Sequence, residues 1–179
     1  MPTWIALFRG INVGGKNALP MTELAHEMKS LKLKNIKTYI QSGNVVFRSS
    51  AKASKELAAK ISKKVLKRFG FAPHILVLGA PQLKLAIDSN PFPVAEREAN
   101  TLHLFFLTSP PKAADIESLT QVKSASERFH LTDDVFYLHA PKGIGRSKLA
   151  SKAEKLLGVG TTARNWRTVL KLREMAEAT

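Results

Sequence analysis

Apolar residues follow two rhythms along this chain. Short runs rich in β-branched and aromatic residues alternate with longer stretches in which apolar residues recur every three or four positions. Trp4–Phe8 is the first short run, and it reads as a strand. Pro20 suits the first turn of a helix, after which Met21, Leu24, Ala25, Met28 and Leu31 recur at helical spacing. Ile36–Gln41 and Val45–Phe47 are strand-like and are separated by Ser42-Gly43-Asn44, a tight hairpin signal. Ser54 is placed to cap the next helix, whose apolar stripe is Leu57, Ala58, Ile61, Val65 and Phe69, with Gly70 ending it. His74–Leu78 closes the series as a fourth strand. The order β-α-β-β-α-β is that of a ferredoxin-like unit.

A linking helix runs from Pro81 to Ile87, and Asn90-Pro91-Phe92-Pro93 interrupts the chain. The rhythm then starts again. Leu102–Thr108 predicts a strand and Ala113–Val122 a helix. Arg128–Leu131 and Val135–His139 predict two strands across Asp133-Asp134, and Lys148–Leu157 a helix. Ala163–Ala176 predicts a helix where a fourth strand would complete the second unit. The expectation is an α+β protein of two successive ferredoxin-like halves, the second ending in a helix. Residues 1–79 form the first half, residues 80–98 the linker, and residues 99–179 the second half. In such a unit the first and third strands are taken as central and parallel, with their C-terminal ends opening on one edge.

Composition narrows the chemistry. The chain has 179 residues, 44% of them apolar, and a chain of this size buries roughly 70% of its unfolded surface. It contains no cysteine, which excludes disulfides, thiolate metal sites and thiol catalysis. The N-terminal run precedes Arg9 without a basic n-region or a cleavage site, so it reads as a strand and not a signal peptide. No run reaches the roughly 20 apolar residues of a membrane span. A cytoplasmic location, no membrane partner and no cofactor are expected.

Charge changes the picture most. The net charge is +14. Residues 1–79 hold 14 Lys/Arg against 3 Asp/Glu, and residues 80–179 hold 14 against 11. Such a bias suits a polyanionic partner. The alternative is a solubilising surface with no specific ligand.

Two Gly-rich basic loops carry the candidate chemistry. Gly10-Ile11-Asn12-Val13-Gly14-Gly15-Lys16-Asn17 has the glycine and lysine spacing of a P-loop. Asn17 stands where Ser or Thr would ligate magnesium, however. Pro20 starts the helix too late for Lys16 to sit on its first turn, and no later strand ends in a Walker B-type acid. A simpler role is an anion nest, in which Gly14 and Gly15 aim backbone N–H groups at a phosphate or carboxylate between Arg9 and Lys16. The alternative is a plain turn hydrogen-bonded by Asn12 and Asn17. The second loop is Lys142-Gly143-Ile144-Gly145-Arg146-Ser147-Lys148. Ser147 is a predicted N-cap, and Lys142 with Arg146 could clamp a phosphate. Near the end of the chain Arg164, Arg167 and Lys171 form a basic face opposite Trp166, Val169 and Leu172, and Arg164 is taken as a further contributor to an anion site.

Other chemistries find no support. The five histidines lack metal-ligand spacing, there is no nucleophile elbow, and Asp133-Asp134 reads as a turn. The strands lack the aromatic pattern with which some ferredoxin-like sheets stack RNA bases.

The strings Arg9–Asn17, Pro20-Met21 and Thr38–Phe47 closely resemble a bacterial family numbered 1697 among the domains of unknown function. Asn90-Pro91-Phe92, Gly143–Lys148 and Thr162–Thr168 are similar to its later motifs. The resemblance implies a two-part α+β fold of about this length. It supplies no activity, cofactor or catalytic residue. The functional expectation is therefore an anion-binding module for phosphate-bearing ligands, nucleic acid among them. The alternatives are an enzyme acting on a small phosphorylated or carboxylated metabolite, for which no general acid or base is nominated, and a protein-interaction module.

Overall fold

The computed structural model describes all residues, Met1–Thr179. The chain divides into two units, Met1–Leu85 with Lys171–Thr179, and Ala86–Leu170.

The first unit runs β1 (Thr3–Arg9), α1 (Met21–Lys29), β2 (Lys34–Tyr39), β3 (Asn44–Arg48), α2 (Ser54–Phe69) and β4 (His74–Gly79), and α3 (Ala80–Asp88) follows. Its sheet has the order β2-β3-β1-β4. The apolar stripes of α1 and α2 meet one sheet face in a core that includes Phe8, Leu24, Met28, Phe47, Ile61 and Val65. Each such buried side chain stabilises the fold by roughly 1.5–3 kcal/mol relative to exposure. Ile5, Leu7 and Val46, on the other face, are fully buried as well. This is why β1 and β3 read as near-continuous apolar runs and not as alternating ones. Gly70 ends α2 in the left-handed conformation. Ser54 is not its cap: it is already helical, and Ala53 occupies the N-cap position with extended backbone and no side-chain bond.

The second unit runs β5 (Leu102–Leu107), α4 (Ile116–Val122), β6 (Arg128–Leu131), β7 (Val135–His139), α5 (Lys148–Leu157) and β8 (Thr161–Asn165), and α6 (Trp166–Glu177) begins there. The sheet order is β6-β7-β5-β8, the same as in the first unit. β8 corrects the sequence expectation. Thr161–Asn165 pairs antiparallel with β5 from Leu107↔Thr161 to His103↔Asn165, so the fourth strand exists and the helix starts only at Trp166. The α4 helix is also shorter than its periodicity suggests. Asp115 accepts from Ser118 N–H at 2.9 Å and caps it.

A second correction concerns strand direction. β1 and β3 are central but antiparallel, as are β5 and β7. The C-terminal end of the first strand therefore lies beside the N-terminal end of the third. The loop after β1 and the loop after β7 accordingly leave opposite ends of their own units. No helix is long and apolar enough to cross a membrane.

Candidate functional site

The first Gly-rich loop folds as an exposed miniature hairpin. Lys16 N–H donates to Val13 O (3.1 Å) and Asn12 N–H to Asn17 O (3.2 Å). Gly14 and Gly15, at φ 58° and 72°, supply the two left-handed residues that a type I′ turn requires. Its base is pinned by side-chain amides. Asn17 Nδ2 donates to Gly10 O (2.9 Å). Asn12 Nδ2 donates to Leu19 O (3.0 Å) and to Gln41 O (2.8 Å), and Asn12 Oδ1 accepts from Leu19 N–H (2.7 Å). Arg9 and Lys16 are exposed, and Arg9 pairs across the sheet with His74.

The strings Arg9–Asn17 and Thr38–Phe47 thus meet in space. Phe8 N–H donates to Gly43 O (2.8 Å). A Cβ on Gly43 would lie 2.5 Å from Phe8 Cβ and 2.6 Å from Ile11 Cδ1. Beside it Ile40 holds φ 49°, a left-handed conformation costing a β-branched residue about 1–3 kcal/mol. The Asn12 bond to Gln41 O follows Ile40, and Asn44 Nδ2 donates to Tyr39 O (3.1 Å) before it. Two bonds from separate segments hold the strained residue.

The second Gly-rich loop borders a cleft of about 400 Å³ within the second unit. One wall is the turn after α4, with Lys123, Ser124 and Glu127; the other is the β7–α5 loop, with Lys142, Gly143, Arg146 and Lys148. The α4–β6 turn is tied on itself: Glu127 Oε2 accepts from Ser124 N–H (2.8 Å), and Glu127 N–H donates to Ser124 O (3.1 Å). Glu127 is buried. On the opposite wall Gly143 N–H donates to Ala140 O (2.9 Å), and a short 3-10 turn covers Ile144–Arg146. Ser147 caps α5 by accepting from Ala150 N–H (2.9 Å). Lys148 therefore stands at the first position of a ten-residue helix, where N–H groups lack intrahelical acceptors and the helix dipole favours anions.

The electrostatics of the cleft are one-sided. Lys123, Lys142, Arg146 and Lys148 face a single carboxylate, Glu127, which is already engaged by a backbone N–H. Lys142, Arg146 and Lys148 are exposed, so their positive field reaches solvent.

Of the residues nominated from the sequence, Lys142, Gly143 and Arg146 line this cleft. Ser147 supports it as a cap, and Gly145 lies within its 3-10 turn. Arg9, Asn12, Gly14, Gly15, Lys16 and Asn17 belong to the first unit. Arg164 is in β8 opposite Leu104, and its Nη1 donates to Ala163 O at 2.8 Å. Partial burial pushes its guanidinium down to about 10, which leaves it charged at neutral pH. Lys123, Ser124 and Glu127 were not nominated. The S-x-x-E spacing of Ser124 and Glu127 was the available signal, since it lets a Glu reach back to the Ser N–H.

The family model for a protein of unknown function, DUF1697, matches residues 1–137. No curated protein matches the chain. A solved structure, the conserved bacterial protein SP0830 from Streptococcus pneumoniae, is similar at 23% identity with a TM-score of 0.74, covering 98% of each chain. At that identity the likeness concerns the fold alone. The family match, which spans most of the chain, shows that it belongs to the DUF1697 family.

Proposed function

We propose that the protein is an anion-binding module whose second unit holds a phosphate-bearing ligand in the cleft between the α4–β6 turn and the β7–α5 loop. The observation that carries this reading is the convergence of Lys123, Lys142, Arg146 and Lys148 on one cleft whose only carboxylate is bonded to Ser124 N–H. Arg146 offers a planar donor pair to phosphate oxygens and the lysines add point charge. The first turn of α5 adds its N–H groups and dipole. A volume of about 400 Å³ is at the scale of small-ligand sites, so a nucleotide or another compact phosphorylated molecule suits it better than a bare ion. The excess of positive charge in the first 79 residues favours nucleic acid as a source of the phosphate.

The test is a calorimetric titration with pyrophosphate and with a mononucleotide at two salt concentrations. The parent is compared with Lys142→Ala/Arg146→Ala. Charge-assisted hydrogen bonds contribute roughly 1.5–3 kcal/mol each, so losing two weakens binding by about 100-fold or more. Equal binding by both proteins would remove the cleft from consideration. A second reading, an enzyme acting on a small phosphorylated metabolite, draws on the same cleft because Glu127 places a carboxylate in its wall. Turnover of such a metabolite, beyond its binding, would favour it.

A further inference from the structure

We propose that one end of the first unit, where β2 begins and β3 finishes, is a docking surface for the phosphate backbone of a nucleic acid. This surface is separate from the cleft and needs no ligand in it.

The topology gathers the charges. Lys29 is the last residue of α1, and Lys32 lies in the turn that leads into β2 at Lys34. Lys34 pairs directly with Arg48 at the end of β3. Lys52 and Lys55 flank the start of α2, which follows β3. Six cationic side chains thus occupy the connections at one end of a single sheet. The five lysines are exposed. Arg48 is positioned by two bonds to Met1 O, from Nε at 3.0 Å and Nη2 at 2.8 Å.

Few carboxylates share this unit. Residues 1–79 contain Glu23, Glu27 and Glu56, and the C-terminal segment of the same unit adds Glu174 and Glu177, which pair with Lys171 (2.7 Å) and Arg173 (4.0 Å). Glu23 and Glu27 are spent between α1 and α2, Glu27 on Lys64 (3.0 Å) and Arg68 (3.6 Å), and Glu23 on Arg68 (3.4 Å). Glu56 lies near this end but pairs with Lys60. None of Lys29, Lys32, Lys34, Lys52 and Lys55 takes part in an ion pair.

The arrangement fits a repeating anion better than a single one. The cations are spread over loops and element ends instead of converging on one point, and a chain of phosphates can meet several at once with release of counterions. A lipid surface is the competing polyanion. Peripheral membrane binding draws on apolar side chains as well as charge, and the six residues gathered here are all lysine or arginine.

The experiment measures binding of a 15-nucleotide single-stranded RNA from 50 to 200 mM salt. Four proteins are compared: the parent; Lys32→Ala/Lys34→Ala/Lys52→Ala; a charge-matched control, Lys63→Ala/Lys67→Ala/Lys152→Ala; and the cleft variant Lys142→Ala/Arg146→Ala. Each phosphate contact contributes about 0.7 to the slope of log K against log salt for a single strand. The patch variant should therefore lose about 2 from that slope whatever the cleft variant loses, while the charge-matched control keeps most of it. Equal losses in the patch and control variants would reduce the effect to net charge and overturn the proposal. So would parent affinity for phosphatidylserine vesicles exceeding that for RNA, or no RNA binding at 150 mM salt. Loss in the cleft variant alone would support the cleft and overturn the patch.

Discussion

Three glycine-to-alanine substitutions separate backbone strain from steric exclusion in the segment where the two long signature strings meet. Gly145 has open space around its Cβ position and no left-handed φ. Gly14 also has open space, but φ is +58°. Gly43 has φ +80° and, in addition, 2.5 Å to Phe8 Cβ and 2.6 Å to Ile11 Cδ1. Alanine at Gly145 should change stability by less than about 1 kcal/mol, the range expected when only unfolded-state entropy is altered. Alanine at Gly14 should cost about 1–2 kcal/mol for the left-handed backbone. Alanine at Gly43 carries that cost and an overpacking cost of about 1–3 kcal/mol, hence about 2–5 kcal/mol together. Phe8 Cβ is attached to a strand backbone and cannot swing aside, so the upper part of that range is expected. Urea denaturation followed by fluorescence and circular dichroism gives the three midpoints. If Gly43→Ala is no more destabilising than Gly14→Ala, the close approach of the Ile40–Gly43 turn to β1 does not exist as described.

Two further substitutions probe the second unit. Ser147→Ala removes the cap from Ala150 N–H and should destabilise by about 1 kcal/mol, seen as a lower urea midpoint with an unchanged slope. His103 is buried, its Nδ1 has no hydrogen-bond partner, and desolvation holds its pKa below the ordinary 6.5. The unfolded chain thus binds the proton more readily, so stability from this group is present above pH 6.5 and is lost as pH falls below it. Thermal melts between pH 7.5 and 5 should show a decline that is smaller in His103→Leu, and identical slopes in the two proteins would refute the assignment.

The order of elements was legible because each strand and helix of the first unit carries its own local signal. The Leu57–Val65 stripe, Gly70 and the Ser42–Asn44 turn each specify structure within a few residues. β8 was not legible for the opposite reason. Thr161–Asn165 is short and polar toward its end, and its extended form comes from pairing with β5. The following helical rhythm of Trp166, Val169 and Leu172 absorbed it. Strand direction was misjudged because it depends on how a whole unit closes, which no local pattern records. The bond from Asn12 to Gln41 O crosses 29 positions, so the sequence displays both loops without displaying that they touch. The cleft was half legible. Lys142 and Arg146 stand out in a Gly-rich string, whereas Lys123 and Glu127 resemble any solvated turn until the α4–β6 connection folds beside them.

The last nine residues, Lys171–Thr179, count with the first unit although an entire second unit precedes them in the chain. Asn35 Nδ2 donates to Thr179 O (3.2 Å) and Lys37 Nζ to Ala178 O (2.7 Å), both from the edge strand β2. These contacts join positions more than 140 apart and form only after the loop containing the second unit has closed. During synthesis on a ribosome, the first unit emerges early, and Asn35 and Lys37 wait without these partners while the second unit is made. The most basic stretch of the chain thus gains these contacts only after the second unit is made, and Lys34 and Lys37 give its edge strand the kind of charge that disfavours pairing with a neighbouring chain, before and after they form.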